Sequence, residues 1–332
     1  SEGISLSAER KLGDRIAREL YRDPDYLEDP VLDEYIQRLW APLIKAAAAR
    51  GELTTDLQER FAWRILLGRD RSVNAFALPG GYLGVHLGLI AVVTSHDELA
   101  SVLAHELSHV TQRHIARSID EQAKMTPWVI GSMILGAIAV SKNPQAAQGL
   151  IVGGQAAAIQ SQLSYSRDME READRVGYGI LADAGYDPQG FVGMFAKLQQ
   201  AAGVNDNGAF PYLRSHPLTT ERIADMQARL QLISKVFIHS GEGVVITDPQ
   251  GIILEVNEAF TRITGYGLDE LKEQTPALLH SGRHGKPFYR AMWADIAEHG
   301  RWEGEIWNRR KNGEIYPELL TINSIFNEDG SV

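Results

Sequence analysis

The chain contains no cysteine. Disulfides and thiolate metal sites are therefore excluded, and any bound metal must sit on histidine, aspartate or glutamate. A flavin photosensor working through a cysteine adduct is excluded too. The compartment stays open, because a cysteine-free chain suits oxidising and reducing surroundings equally. Long apolar runs are scarce. The longest, Trp128-Val-Ile-Gly-Ser-Met-Ile-Leu-Gly-Ala-Ile-Ala-Val140, has about 13 residues and is too short to span a bilayer. An excess of basic charge is missing as well: Lys+Arg number 33 against 43 Asp+Glu, a net charge of −10. From Gln231 onward there are 10 basic and 15 acidic residues, so neither part is basic. Nucleic acid is accordingly not an expected partner. The first residue is Ser1 rather than Met, which points to a removed leader or to trimming.

What is present suits two folded domains, since 332 residues are enough to bury proper cores. Residues 7–50 have helical spacing of apolar side chains, and residues 61–93 read as extended, with punctuation at Leu78-Pro-Gly-Gly81. Helices are predicted over 96–124, opened by Ser95, over 166–184, 190–202 and 218–238. Near residue 240 the texture changes to short strands, Gly243-Val-Val-Ile-Thr-Asp248 and Ile252-Ile-Leu-Glu-Val256, followed by helices at 257–263 and 287–299. Two further strands flank Lys311-Asn-Gly313.

The central motif is His105-Glu106-Leu-Ser-His109. On a helix, positions i and i+4 share a face, so both imidazoles can reach one Zn²⁺ while Glu106 faces the water that the metal activates. A catalytic zinc needs a third protein ligand. The segment Ser166-Arg-Asp-Met-Glu170-Arg-Glu-Ala-Asp174 offers two acids on one helix face, beside Ala173 and Gly177, whose small size permits close helix contact. One of Glu170 and Asp174 is expected to bind the metal. The other would orient a ligand histidine through its free N–H. His114 falls at the wrong phase and Glu172 off this face, so both are expected at the surface.

These residues resemble the zinc metallopeptidase family of HtpX, the CAAX prenyl protease and the periplasmic BepA-like enzymes. Asn74-Ala-Phe-Ala-Leu-Pro-Gly-Gly-Tyr82 with Gly88-Leu89 is similar to that family's strand and hairpin before the active-site helix. The resemblance implies Glu170 as third ligand with Asp174 behind it, Glu106 as general base, and Zn²⁺ as cofactor. His216, in Arg214-Ser-His-Pro-Leu218, would then either occupy the metal's open position and restrain activity, or donate to the oxyanion. Tyr82 and Tyr165 are further candidates for transition-state donors, with packing as the plainer role. Segment 77–87 is expected to offer a strand edge to an extended polypeptide substrate. The apolar run 128–140 reads as a buried lid, with membrane-surface contact as the alternative.

From about residue 233 the pattern resembles a PAS sensory domain, carried by Gly243–Tyr266, Phe288-Tyr-Arg-Ala-Met-Trp293 and Trp302–Gly313. The resemblance implies ligand sensing or PAS-mediated dimerisation. His280 and His284 are candidates for haem ligation, with an ordinary loop role as the plainer reading. The pattern stops at Asn327–Val332, where a final strand is expected, so the module is expected to be incomplete at its C-terminus. The expected fold is α+β: a mainly helical zincin metallopeptidase domain with a small sheet over 1–230, and an α/β PAS domain with an antiparallel sheet over 231–332. The expected function is zinc-dependent endoproteolysis of unfolded or misassembled polypeptide in envelope quality control. The alternatives are a PAS-based sensor or adaptor and a metal-bound scaffold. The peptidase part suggests periplasm or cell envelope, whereas the PAS part admits the cytoplasm.

Overall fold

The computed structural model describes residues 4–121, 129, 131, 132, 134–136, 165–203 and 210–324. The chain divides into two compact units, Ser1–Gln227 and Ala228–Val332. The first unit begins with α1 (Leu6–Arg22) and α2 (Pro30–Ala49). The helical region expected over 7–50 is made of two helices, because Asp23 ends α1 and Asp29 opens α2 by accepting from the Val31 and Leu32 amides, with Pro30 at the first helical position. After α3 (Thr55–Arg60) come β1 (Arg64–Gly68), β2 (Ala75–Leu78) and β3 (Tyr82–His86). Their order is β1-β3-β2, with β1 parallel and β2 antiparallel to β3. The β2–β3 turn needs left-handed backbone at Gly80 and Gly81, φ 74° and 84°, which explains the Pro-Gly-Gly run.

Two expectations change here. The extended segment ends at His86, and Leu87–Val92 is helix α4. Within 77–87, β3 is paired on both sides, so the strand with a single partner is β2.

Helix α5 (His96–Thr111) is buried from Glu98 to its end. Its apolar residues Leu99, Val102, Leu103, Leu107 and Val110 point all round the axis, as an interior helix requires. The helix expected to continue to 124 breaks at Arg113, which takes φ 54°, and α6 (His114–Glu121) follows in a new direction. Then come α7 (Arg167–Asp183), α8 (Gln189–Gly203), α9 (Tyr212–Ser215) and α10 (Thr220–His239). Helix α7 packs on α5 where a Cβ at Gly177 would lie 3.1 Å from the Ala104 carbonyl and 3.2 Å from the His105 Cα. Most of the apolar run 128–140 and the stretch 145–162 lie outside the described residues; Ile134 is buried in a cluster with Leu12 and Ile16. No helix of the described residues is long and apolar enough to cross a membrane.

The second unit has β4 (Val245–Thr247) antiparallel to β5 (Ile253–Val256), then α11 (Glu258–Thr264), α12 (Leu268–Leu271), a 3₁₀ turn at Pro276–Leu279, α13 (Lys286–His299), and the hairpin of β6 (Arg301–Arg309) with β7 (Ile315–Asn323). Ile253, Val256, Phe260, Leu271 and Leu279 form its core. Asn257 is the local hub: its side-chain oxygen accepts from the Val244 and Phe260 amides, and its amide donates to the carbonyls of Phe237 and Glu242. Among the described residues the two strand pairs remain separate antiparallel sheets. The fold is α+β, as expected, and residues 325–332, where the PAS pattern stops, lie outside the described residues.

The close approach of α7 to α5 yields a prediction. Gly177→Leu should destabilise the first unit by about 1–3 kcal/mol through overpacking, despite a helix-propensity gain of about 1 kcal/mol. Urea unfolding followed by circular dichroism measures it, and an unchanged or raised midpoint would refute the tight contact.

Candidate metal centre

The start of α5 is set by local hydrogen bonds. Ser95 Oγ accepts from the Glu98 amide, and Glu98 Oε2 accepts from the Thr94 amide at 2.7 Å. These satisfy amides that a helix N-terminus leaves without intrahelical partners. Further along, His105 and His109 present Nε2 atoms 3.0 Å apart. Glu170, on α7, places Oε2 3.4 Å from His105 Nε2 and Oε1 3.4 Å from His109 Nε2. His216, just after α9, brings Nδ1 to 2.9 Å from Glu170 Oε1 and 3.3 Å from His105 Nε2. One donor atom from each of these four buried residues lies within 4.8 Å of all the others. Tetrahedral zinc with bonds of about 2.1 Å sets its donors about 3.4 Å apart, so the donor set and spacing fit a divalent metal.

The surrounding charges favour a cation. Burial pulls the His105 imidazole down, but Asp174 and Glu170 beside it outweigh burial and hold it at about 9. Burial pushes the Glu170 carboxyl up, yet His216, His105 and His109 overcome this and keep it well below the usual carboxylate range. His109 is driven well below an ordinary imidazole, chiefly by burial. Glu106 is fully buried and is pushed up, again chiefly by burial. Its Oε1 lies 3.3 Å from His216 Nε2, and neither oxygen completes a hydrogen bond among the described residues. A buried carboxyl so placed is poised to exchange a proton with something in the centre.

Asp174 stands behind the cluster. Its Oδ1 is 2.9 Å from His105 Nδ1, the nitrogen facing away from the other donors. Arg222, on α10, grips the same carboxylate with two hydrogen bonds, 2.6 Å from Nε and 2.8 Å from Nη2. Its Nη1 is also 2.8 Å from Glu170 Oε2 and donates to the Pro217 carbonyl at 2.9 Å. Burial raises the Asp174 carboxyl, but Arg222 more than compensates and lowers it.

Several expectations about neighbouring residues fail. His114 is fully buried rather than at the surface. Its Nδ1 lies 2.8 Å from His109 Nδ1 and its Nε2 3.0 Å from Glu172 Oε2. The helical-phase argument breaks down because the chain turns at Arg113. Glu172 is not merely solvated, since Arg117 Nη1 also donates to its Oε2 at 2.7 Å. Tyr82 is turned away, its hydroxyl donating to Asp14. Tyr165 stacks on His109, ring centroids 3.8 Å apart. Sequence reasoning missed Arg222 and Tyr212. The first is 48 residues from Asp174 with no local signal, and the second stacks on His216 at 4.5 Å. In the second unit, His284 Nε2 accepts from the Trp307 amide and His280 Nδ1 from the Gly282 amide. Both are used structurally.

Comparison with known proteins gives two family matches. The sequence model of peptidase family M48 matches residues 31–230, and that of a PAS domain matches residues 241–332. The chain is 38% identical over 229 residues to a Vibrio cholerae protein bearing the name of a beta-barrel assembly-enhancing protease, covering 68% of this chain and 45% of that one. It is 29% identical over 302 residues to the beta-barrel assembly-enhancing protease of Escherichia coli K12, covering 90% of this chain and 59% of the relative. With the mitochondrial metalloendopeptidase OMA1 of Arabidopsis thaliana it shares 33% identity over 196 residues, 59% of this chain and 36% of the relative. The chain spans about half the length of the first two relatives.

The Arg222 contacts yield a prediction. Replacing Arg222 by Met should cost about 3–5 kcal/mol, because two buried carboxylates lose their shared cation. Adding Asp174→Asn should recover part of that loss. Denaturant melts of the single and double variants test the coupling, and simple additivity would refute it.

Proposed function

The chain belongs to peptidase family M48, and from that premise we propose that it is a zinc-dependent endopeptidase. Its proposed substrates are unfolded or misassembled polypeptides, and its proposed setting is protein quality control in the cell envelope. The observation that carries the reading is the convergence of His105, His109 and Glu170 at donor spacings suited to zinc, with the Glu106 carboxyl buried beside them. The names of relatives concerned with beta-barrel assembly support the substrate class and the setting.

His105, His109 and Glu170 would hold the metal. Zn²⁺ bound there would polarise the scissile carbonyl and make a water acidic enough to attack it. Glu106 takes the proton released in the attack and returns it to the leaving amine nitrogen. Its burial, which lifts the carboxyl above its ordinary range, suits both halves of that task. Asp174 Oδ1 lies 2.9 Å from His105 Nδ1, and this ion pair would keep Nε2 turned towards the centre. His216 lies among the donors through Nδ1, which favours a restraining role at the fourth position over an oxyanion role. An extended substrate strand would pair with β2, an edge strand of the sheet among the described residues. The PAS module would regulate the peptidase part.

Three outcomes test the proposal. Purified protein should carry zinc, and Glu106→Gln should retain it while cleaving casein at least about 10²-fold more slowly. Equal cleavage by wild type and variant would remove Glu106 from its role. His216→Ala should cleave casein faster than wild type, whereas a slower variant would assign His216 to the oxyanion. Removal of residues 233–332 should change the cleavage rate, and identical rates would argue against regulation by the PAS module.

A further inference from the structure

We propose that His114 and Glu172 form a relay that fixes the tautomer and ring direction of His109, and thereby sets how tightly the centre holds its metal. The inference rests on the reading of His105, His109 and Glu170 as metal ligands. His114 is a positioning residue here, since it touches a ligand and not the reacting atoms.

His109 Nδ1 and His114 Nδ1 are 2.8 Å apart and both rings are fully buried. At that distance two imidazole nitrogens need one hydrogen between them, because two would clash and none would leave lone pairs opposed. The other end of His114 decides which ring supplies it. Its Nε2 is 3.0 Å from Glu172 Oε2, and an ionised carboxylate can only accept. Arg117 donates to the same oxygen at 2.7 Å, which keeps Glu172 ionised and in place. So His114 carries its hydrogen on Nε2 and, as a neutral ring, offers the Nδ1 lone pair. His109 must then donate from Nδ1, which leaves its Nε2 lone pair facing His105 and Glu170. A metal needs that lone pair.

The two ligand histidines are therefore fixed by different means. His105 meets a carboxylate directly, with Asp174 Oδ1 2.9 Å from its Nδ1. His109 reaches its carboxylate through a second imidazole. The backbone is shaped for this: Arg113 adopts φ 54°, and its guanidinium is tied to Glu9 Oε2 at 2.9 Å. That turn brings residue 114 back against residue 109, which a continued helix would not do. Tyr165 stacks on the His109 ring and holds its plane.

The test uses the full chain and the variants His114→Phe and Glu172→Gln. Phenylalanine fills much of the ring's space but accepts no hydrogen bond, whereas the glutamine amide oxygen still accepts from His114 Nε2. Competition with a chromophoric chelator should show zinc binding weakened about 10–100-fold in His114→Phe and close to wild type in Glu172→Gln. Histidine ¹⁵N NMR of the metal-free wild type should show His109 protonated on Nδ1 and His114 on Nε2. A folded His114→Phe variant with unchanged zinc affinity would overturn the proposal. So would a His109 carrying its hydrogen on Nε2 in the metal-free wild type, a result that stands even if the variant fails to fold. Wild-type protein that binds no zinc would refute the ligand assignment instead, and the NMR result would still report on the relay.

Discussion

The centre depends on one close approach between helices. Helix α7 can lie against α5 only because Gly177 presents no side chain to Ala104 and His105, and Ala173, fully buried, adds only a methyl one turn earlier. That contact brings Glu170 and Asp174 to opposite ends of the His105 ring, one at Nε2 and one at Nδ1. A wider separation would leave buried acids and imidazoles without partners, at a cost of several kcal/mol for each ion. Packing of the smallest side chains and placement of the most polar ones are thus a single constraint.

The electrostatics follow from it. Glu106, Glu170 and Asp174 are all buried in one small region, where mutual repulsion would normally suppress ionisation. The structure separates their fates. Arg222 holds the Asp174 carboxyl down, whereas the imidazoles of His216, His105 and His109 hold Glu170 down. For Glu106 burial prevails, and its carboxyl is raised. Three acids gathered in one small region from two packed helices therefore have different chemistry, decided by the balance of burial against the cationic partners each one meets.

Much of this was legible in the sequence. The His105–His109 spacing, the acids at 170 and 174 and the small residues between helices are local patterns, and their period alone puts them on shared faces. Family resemblance was legible in both parts of the chain for the same reason, since short motifs at fixed spacing survive divergence. What failed were inferences that required the chain to change direction. His114 was out of phase only on the assumption of an unbroken helix, and a left-handed Arg113 is not marked by glycine or asparagine. The helix ending at residue 22 and the short helix after His86 were missed likewise, because the apolar pattern runs through the break. Arg222 joins its partners across long sequence separations, where neither spacing nor composition carries a signal.

The Arg222 guanidinium has one more contact of consequence. Besides the two acids, it donates to the carbonyl of Pro217, the residue following His216. The loop bearing that histidine is therefore tethered to the cation that neutralises Asp174 and Glu170. Any excursion of the loop strips the guanidinium of an acceptor, so motion of this segment and the balance of charge under the centre are one event rather than two.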